Sequence, residues 1–409
     1  MSLVICSPAS SAIAQEFNDY DAFLSVFFIT VPNLGEIIAP LYIGPLSERL
    51  GRMPVCHFFN LSFLVFTMIA GFSNSFGMVI VFRFLAGASV SSICLNPAIT
   101  GDLFTIEERG SAMSLTSLIP ILGTAVGPIR QSRGSHGPRL KESYVPVIRR
   151  KALKQTSSGQ EAVRPSQKYF QGWSMATVKA VALLAIRPFV ILSQSRIAVL
   201  MGLYLALLFA YISLLAATLA TVFQEAYGFS ESQSGLIYIA MTIGTLSGAL
   251  MCRFTLDYFL FRGLSFKQPD HGVAPRPENR LIPILPAMVA FPVGLFLYGW
   301  SLEERLHWIV PALATLLCGF SLSSSTTPIM NYLVDIFGDR SASAVAAVLP
   351  LRYVGGAFMP VAAPYMYDRL GYGWGNSLLG FVLLVALPAP FLLVVQPRRL
   401  RALTAIVRG

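Results

Sequence analysis

Hydrophobic positions along this chain gather in runs of about 20 residues, separated by short polar or basic turns, and do not alternate. Lipid leaves exposed backbone groups unsatisfied, so only helices or closed barrels can span it. Long runs without a period of two predict helices rather than a barrel. Residues 21–44, 55–72, 78–104 and 111–129 read as four spans, with "SERLGRMP", "SNSFG" and "TIEERG" as the turns between them. After Arg196 the rhythm is regular, and 197–222, 235–252, 281–300, 308–334, 342–363 and 376–395 give six more.

Between the two groups the pattern fails. "GTAVGPIRQSRGSHGPRLKESYVP" begins as a glycine-spaced helix and turns basic between Ile129 and Arg130. Arg133, Arg139, Lys141, Arg149, Arg150, Lys151 and Lys154 follow, against Glu142 and Glu161 as the acidic residues up to Arg196. Residues 176–192 are apolar but carry Lys179, Arg187 and Pro188, which predicts an interfacial helix rather than a span.

Charge sets the orientation. The net charge of +10 sits in segments between spans and in the tail, where excess Lys and Arg mark the cytoplasmic side. That placement argues for a membrane surface and against nucleic acid, and leaves contact with anionic lipid open. The second group then has both ends cytoplasmic. The first does not close: if "ERLGRMP" and "TIEERG" are inside, 111–129 runs outward and would export the most basic segment of the chain. One inward helix is missing there, and "MSLVICSPASSAIAQEF" reads as the outer end of another.

Composition agrees with a membrane protein. The chain is 55% hydrophobic and 12% charged, about half the charge of a soluble domain. No removable signal peptide pattern follows Met1. Cys6, Cys56, Cys94, Cys252 and Cys318 stand singly, which suggests neither a zinc site nor a disulfide framework. His57, His136, His271 and His307 are scattered outside any HExxH pattern, and neither GxSxG nor GxxxxGK[ST] occurs. The expectation is no enzyme, no catalytic residue, no metal, no cofactor and no ATP-driven pump.

The most specific motif is "GPLSERLGRMP", Gly44 to Pro54. It resembles the G-x-L-[SAD]-[DE]-R-x-G-R-[RK] signature of the major facilitator superfamily, with Met53 where the family has a second base. The resemblance implies a latch made by Gly44, Glu48, Arg49, Gly51 and Arg52, with Glu48 facing the start of the family's eleventh helix at Ser341 to Ser343. "RFLAG", Arg83 to Gly87, resembles a motif whose intramembrane arginine is implicated in proton coupling. "GTAVGP" resembles the opening of the antiporter motif, through Gly123, Gly127 and Pro128, with Ile129 and Arg130 in place of its continuing glycines. "GLFLYGW", "HWIVP", "YLVD", "MYDRLGYGWGNSLL" and "PAP" resemble the last helices of fungal multidrug members of the drug:proton antiporter branch. "LKESYVPVIRRKALK" resembles the point just after the sixth helix in the same proteins. On those anchors the chain passes from the middle of the fifth helix to just beyond the sixth.

Charges inside spans are costly and so point to function. Glu36 is a candidate proton carrier, and Arg83 a fixed positive charge that tunes it; structural pairing and snorkelling are the competing readings. Tyr204 and Tyr211, seven residues apart on one helix face, and Arg352 are candidates for a substrate cavity, with packing as the alternative.

The expected fold is an all-α polytopic membrane protein, a two-bundle major facilitator type with about ten of twelve helices. Residues 1–129 form an incomplete first bundle, with a remnant of helix 1 and helices 2 to 5. Residues 130–196 form a basic cytoplasmic linker, 197–397 a six-helix bundle (helices 7 to 12) and 398–409 a cytoplasmic tail. The expected function is proton-coupled efflux of a small organic compound by alternating access in the plasma membrane. Its partners are that compound, protons and the bilayer, with no nucleic acid and no obligate protein. A truncated, non-transporting product and an uncoupled facilitator are the alternatives.

Overall fold

Apolar runs of this length favour helices, which satisfy their own backbone groups. A computed structural model describes residues 22–73, 75–118, 190, 192, 195–262, 277–338 and 341–395. Among these residues every regular element is a helix. The first bundle contributes α1 (Ala22–Leu50), α2 (Arg52–Gly71), α3 (Phe76–Ala88) and α4 (Ser92–Leu103). Helix α5 begins at 109 and reaches the edge of the described residues at 118. The second bundle contributes α6 (Arg196–Tyr227), α7 (Glu231–Arg262), a 3-10 turn (Pro277–Leu281), α8 (Ile284–Glu303), α9 (Ile309–Phe337), α10 (Ser341–Ala386) and α11 (Pro388–Val395). Six helices among the described residues are long and apolar enough to cross a membrane by length and composition. The antiporter residues Gly123, Gly127 and Pro128, the helix 1 remnant, the tail and all of the linker and its interfacial helix but 190, 192, 195 and 196 lie outside the described residues.

Two expected boundaries differ from the observed ones. The run 78–104 is two helices, broken at Ser89–Ser91. Serine hydroxyls compete for backbone partners there: Ser89 Oγ donates to the Leu85 carbonyl at 2.9 Å and Ser91 Oγ to Asn60 Oδ1 at 3.0 Å. The hydroxyl of Tyr42 donates to the Ala88 carbonyl freed at the end of α3. The break expected between 363 and 376 is present but narrower: α10 consists of two helical arms, 341–370 and 372–386, separated at Gly371, whose non-helical φ of 70° and ψ of 177° suit a residue without a Cβ. The Glu303 carboxylate accepts from the backbone N–H groups of Tyr372 (2.9 Å) and Gly373 (3.1 Å), which caps the second arm.

Glycines set the closest approaches. A Cβ on Gly87 would lie 2.1 Å from the Pro32 carbonyl oxygen, and one on Gly35 would lie 2.3 Å from that of Phe84. Helices α1 and α3 therefore cross backbone to backbone, and the "RFLAG" glycine is part of that crossing. The second bundle surrounds one continuous core in which Tyr204, Phe291, Tyr298, Tyr332 and Tyr353 are fully buried. Trp300, Trp308 and Trp374 are exposed at one end of this bundle, where amphipathic rings sit at a lipid–water interface. The start of α8, the end of α9 and the start of α10 lie at the other end, and the charged groups gather there.

Candidate functional site

The signature loop is tied together locally before it reaches across the molecule. Gly51 adopts φ 91°, a conformation that favours glycine, and lets α1 turn directly into α2. Ser47 Oγ donates to the Gly44 carbonyl at 2.6 Å and receives Arg52 Nη1 at 2.9 Å. Arg52 Nε reaches Asp102 Oδ2 at 3.0 Å, which links the start of α2 to the end of α4. The side chain of Arg49 is outside the described ones.

From this frame Glu48 extends to the second bundle. Ser343 Oγ, in the first turn of α10, donates to Glu48 Oε1 at 2.8 Å. The carboxylate thus stands at a helix N-terminus, where the unpaired N–H groups favour negative charge. A Glu48→Gln variant keeps an acceptor for Ser343 and loses the charge. It is expected to weaken closure at this end by about 0.3–1 kcal/mol, a modest increase in labelling of cysteines placed in the loop; wild-type labelling would show that the charge has no effect.

A second, larger contact mirrors the first. Asp257, near the end of α7, accepts from the backbone N–H groups of Gly110 (3.1 Å, Oδ1) and Ser111 (2.8 Å, Oδ2) at the start of α5. Each bundle therefore presents a carboxylate to the start of a helix in the other. Around Asp257 the charges form a chain. Arg280 is fully buried and donates through Nε to Asp335 Oδ2, through Nη1 to Asp257 Oδ1 at 3.1 Å and through Nη2 to the Ile106 carbonyl. Asp335, whose side chain is 2% exposed, also receives Arg109 Nη1 at 2.6 Å, and Arg109 Nη2 donates to the Gly101 carbonyl at 2.8 Å. Arg109 and Ile106 belong to the first bundle, and Arg280, Asp257 and Asp335 to the second, so this chain ties the bundles together.

Sequence reasoning passed over Arg109, Asp257, Arg280 and Asp335 as site residues. The available signal was an internal repeat. "TLDYFLFRG" ends the second helix of the second bundle much as "PLSERLGR" ends the corresponding helix of the first, each with an acid near a helix end followed by a base.

Deeper in the boundary, α1 runs antiparallel along the first arm of α10. Opposite residues keep one register: Glu48 meets Ser343, and Asn33 Nδ2 donates to the Gly356 carbonyl at 3.0 Å. Between these levels Glu36 faces the guanidinium of Arg352 and the hydroxyl of Tyr353. Arg352 itself lies over the Phe209 ring at 4.2 Å to the centroid, a cation–π contact from α6. The structure thus brings Glu36 together with Arg352, a residue expected in the cavity. Arg83 is half-buried on α3, one turn before the Gly87 crossing with α1. Tyr204 and Tyr211 are buried in the second bundle, with Tyr204 Oη 3.4 Å from Ser325 Oγ and Tyr211 beside Phe291. No cluster of metal-ligating side chains occurs among the described residues.

Comparison with known proteins places this geometry. A model described as Major Facilitator Superfamily matches residues 1–131 and 144–359, and the interval between the matched parts takes in most of the basic bridge "RQSRGSHGPR". The chain is 33% identical to the MFS transporter cpaT of Aspergillus oryzae, with 97% of this chain and 84% of that protein covered. It is 34% identical to the MFS-type transporter penM of Penicillium rubens (97% and 81% covered) and 32% identical to the efflux pump radE of Floropilus chiversii (97% and 77% covered). Among solved structures, the proton:xylose symporter XylE superposes with a TM-score of 0.67 at 15% identity, covering 97% of this chain and 92% of that one. The human organic anion transporter MFSD10 superposes with a TM-score of 0.63 at 17% identity, covering 93% and 88%. At these identities the solved structures speak for the fold alone.

Proposed function

The chain belongs to the major facilitator superfamily and is a multi-pass membrane transporter, and from that premise we propose that it exports a small organic compound in exchange for protons. The observation that carries this reading is the placement of Glu36, an ionisable group within α1 that faces Arg352 and Tyr353 across the boundary between bundles. Arg352 supplies the positive charge at this place on α10. A charged Glu36 is attracted to it and draws α1 toward α10, whereas a protonated Glu36 loses that attraction. Proton binding therefore favours parting of the bundles, and proton release favours closure.

That sequence suits antiport. A proton taken up while the charged end is shut opens that end, and its release there readies the site to close over a substrate. The similarity to an efflux pump of Floropilus chiversii supports export as the direction. The excess of Lys and Arg in the inter-span segments supports a cytoplasmic position for the charged end and the plasma membrane as the setting. Glu48 and the Arg109–Asp335–Arg280–Asp257 chain then act as the cytoplasmic latch.

Glu36→Gln mimics the protonated group permanently. In proteoliposomes loaded with rhodamine 6G as a probe compound, wild-type efflux is expected to rise with an inward proton gradient. The variant is expected to lose that dependence while still exchanging dye across the membrane at equal pH. Full gradient-driven efflux from the variant would move the proton carrier elsewhere.

A further inference from the structure

Helix α10 contains Pro360 within its first arm, and the helix continues through it. A proline has no N–H, so it cannot bond the carbonyl four residues earlier, which here belongs to Gly356. In a bilayer an unpaired carbonyl is costly, and no water is at hand to satisfy it. The bond is supplied from the other bundle: Asn33, 1% exposed on α1, donates its Nδ2 to that same carbonyl at 3.0 Å. Gly356 is held from behind as well, since a Cβ there would lie 2.6 Å from Phe209 Cε1 and 3.0 Å from Ser213 Oγ of α6. The gap left by Pro360 and the donor that fills it thus lie on opposite sides of the boundary that alternating access must open.

We propose that Asn33 is a positioning residue for the transport cycle, standing in for the amide that Pro360 removes and so making the hydrogen bonding of helix α10 depend on whether the bundles are closed. With the bundles together, the Gly356 carbonyl is paired with Asn33. With the bundles parted, it is released into the space between them, where water or a donor group on the transported compound can take it. The inference rests on the two-bundle transporter reading. It concerns bundle closure and makes no claim about which group carries the proton.

The test removes the donor and then removes the need for it. A single cysteine at Ala347, one turn from Ser343 and 5% exposed in the closed boundary, is introduced into the full chain without its other cysteines. Its labelling by a water-soluble maleimide is timed in membranes. Asn33→Ala is expected to raise the labelling rate roughly tenfold, the scale of one lost hydrogen bond. Pro360→Ala restores a backbone donor for Gly356, so Asn33→Ala combined with Pro360→Ala should label at the rate of Pro360→Ala alone. An Asn33→Ala rate equal to wild type, or an undiminished rise in the Pro360→Ala background, overturns the proposal. Should Asn33→Ala fail to accumulate, recovery of its membrane level by Pro360→Ala supports the proposal and continued loss contradicts it. Because labelling reports closure and not proton movement, this outcome is separable from the fate of the Glu36 reading.

Discussion

Asp335→Asn is expected to cause the largest loss of any single charge change in the molecule. Asp335 is 2% exposed and accepts from two arginines, Arg109 of the first bundle and Arg280 of the second. Neutralising it leaves Arg280, with a fully buried side chain, served by Asp257 and the Ile106 carbonyl, and leaves Arg109 without its carboxylate. Removing one partner from a buried ion pair costs about 3–5 kcal/mol, because the other charge stays buried without compensation. The measurement is thermal unfolding of the detergent-solubilised protein, together with transport. A control separates charge from packing: replacing Arg109, Arg280 and Asp335 together with Met, Met and Leu removes all three charges and leaves Asp257, which still accepts from the Gly110 and Ser111 N–H groups. That variant should regain much of the stability while transport stays low, because the latch no longer responds to position. Asp335→Asn with wild-type melting would mean that the network contributes little to holding the bundles together.

The second large effect is expected at the crossing of α1 and α3. Gly87→Val places a branched side chain where even a Cβ would stand 2.1 Å from the Pro32 carbonyl oxygen and 2.8 Å from its carbon. These are backbone atoms, so no side chain can rotate aside. The Gly35 contact with Phe84 and Ala88, one turn further along, prevents the helices from simply sliding. Overpacking of this kind costs roughly 1–3 kcal/mol where neighbours can adjust, and the rigid partners here put Gly87→Val at or above that upper figure. Gly87→Ala is expected to show the same loss in smaller measure. Membrane levels and melting temperature of the two variants provide the check. Undisturbed accumulation of Gly87→Val would mean the two helices are not in backbone contact.

The particular residues explain how much of this was legible beforehand. Span length identified the helices because the bilayer imposes it locally, and "GPLSERLGRMP" located Glu48 opposite Ser343 because the family it resembles sets that motif against the start of its eleventh helix. The break at Ser89–Ser91 was hidden since "GASVSS" is apolar enough to pass for a continuous span. The break between the last long helices was legible in "RLGYGWG", but its narrowness was not: one residue, Gly371, makes the turn, and Glu303, 69 residues away from Tyr372, caps the helix that restarts after it. The charge chain joins residues up to 226 positions apart, and no local pattern connects Arg109 with Asp335. The pairing of Asn33 with Gly356 spans 323 positions, and only the missing amide of Pro360 hints at it.

The coupling of Glu36 to closure of the bundles can be read directly as a distance at their charged end. Leu103 and Ile336 are both exposed at that end, two residues beyond Gly101 and Val334, which touch across the boundary. Spin labels at 103 and 336 in nanodiscs report their separation as a distance distribution. The wild-type protein at pH 8 should give a single short population, and Glu36→Gln at the same pH should add a longer one while Asp335 and Asp257 remain intact. Identical distributions for the two proteins would contradict the coupling of that carboxyl to the parting of the bundles.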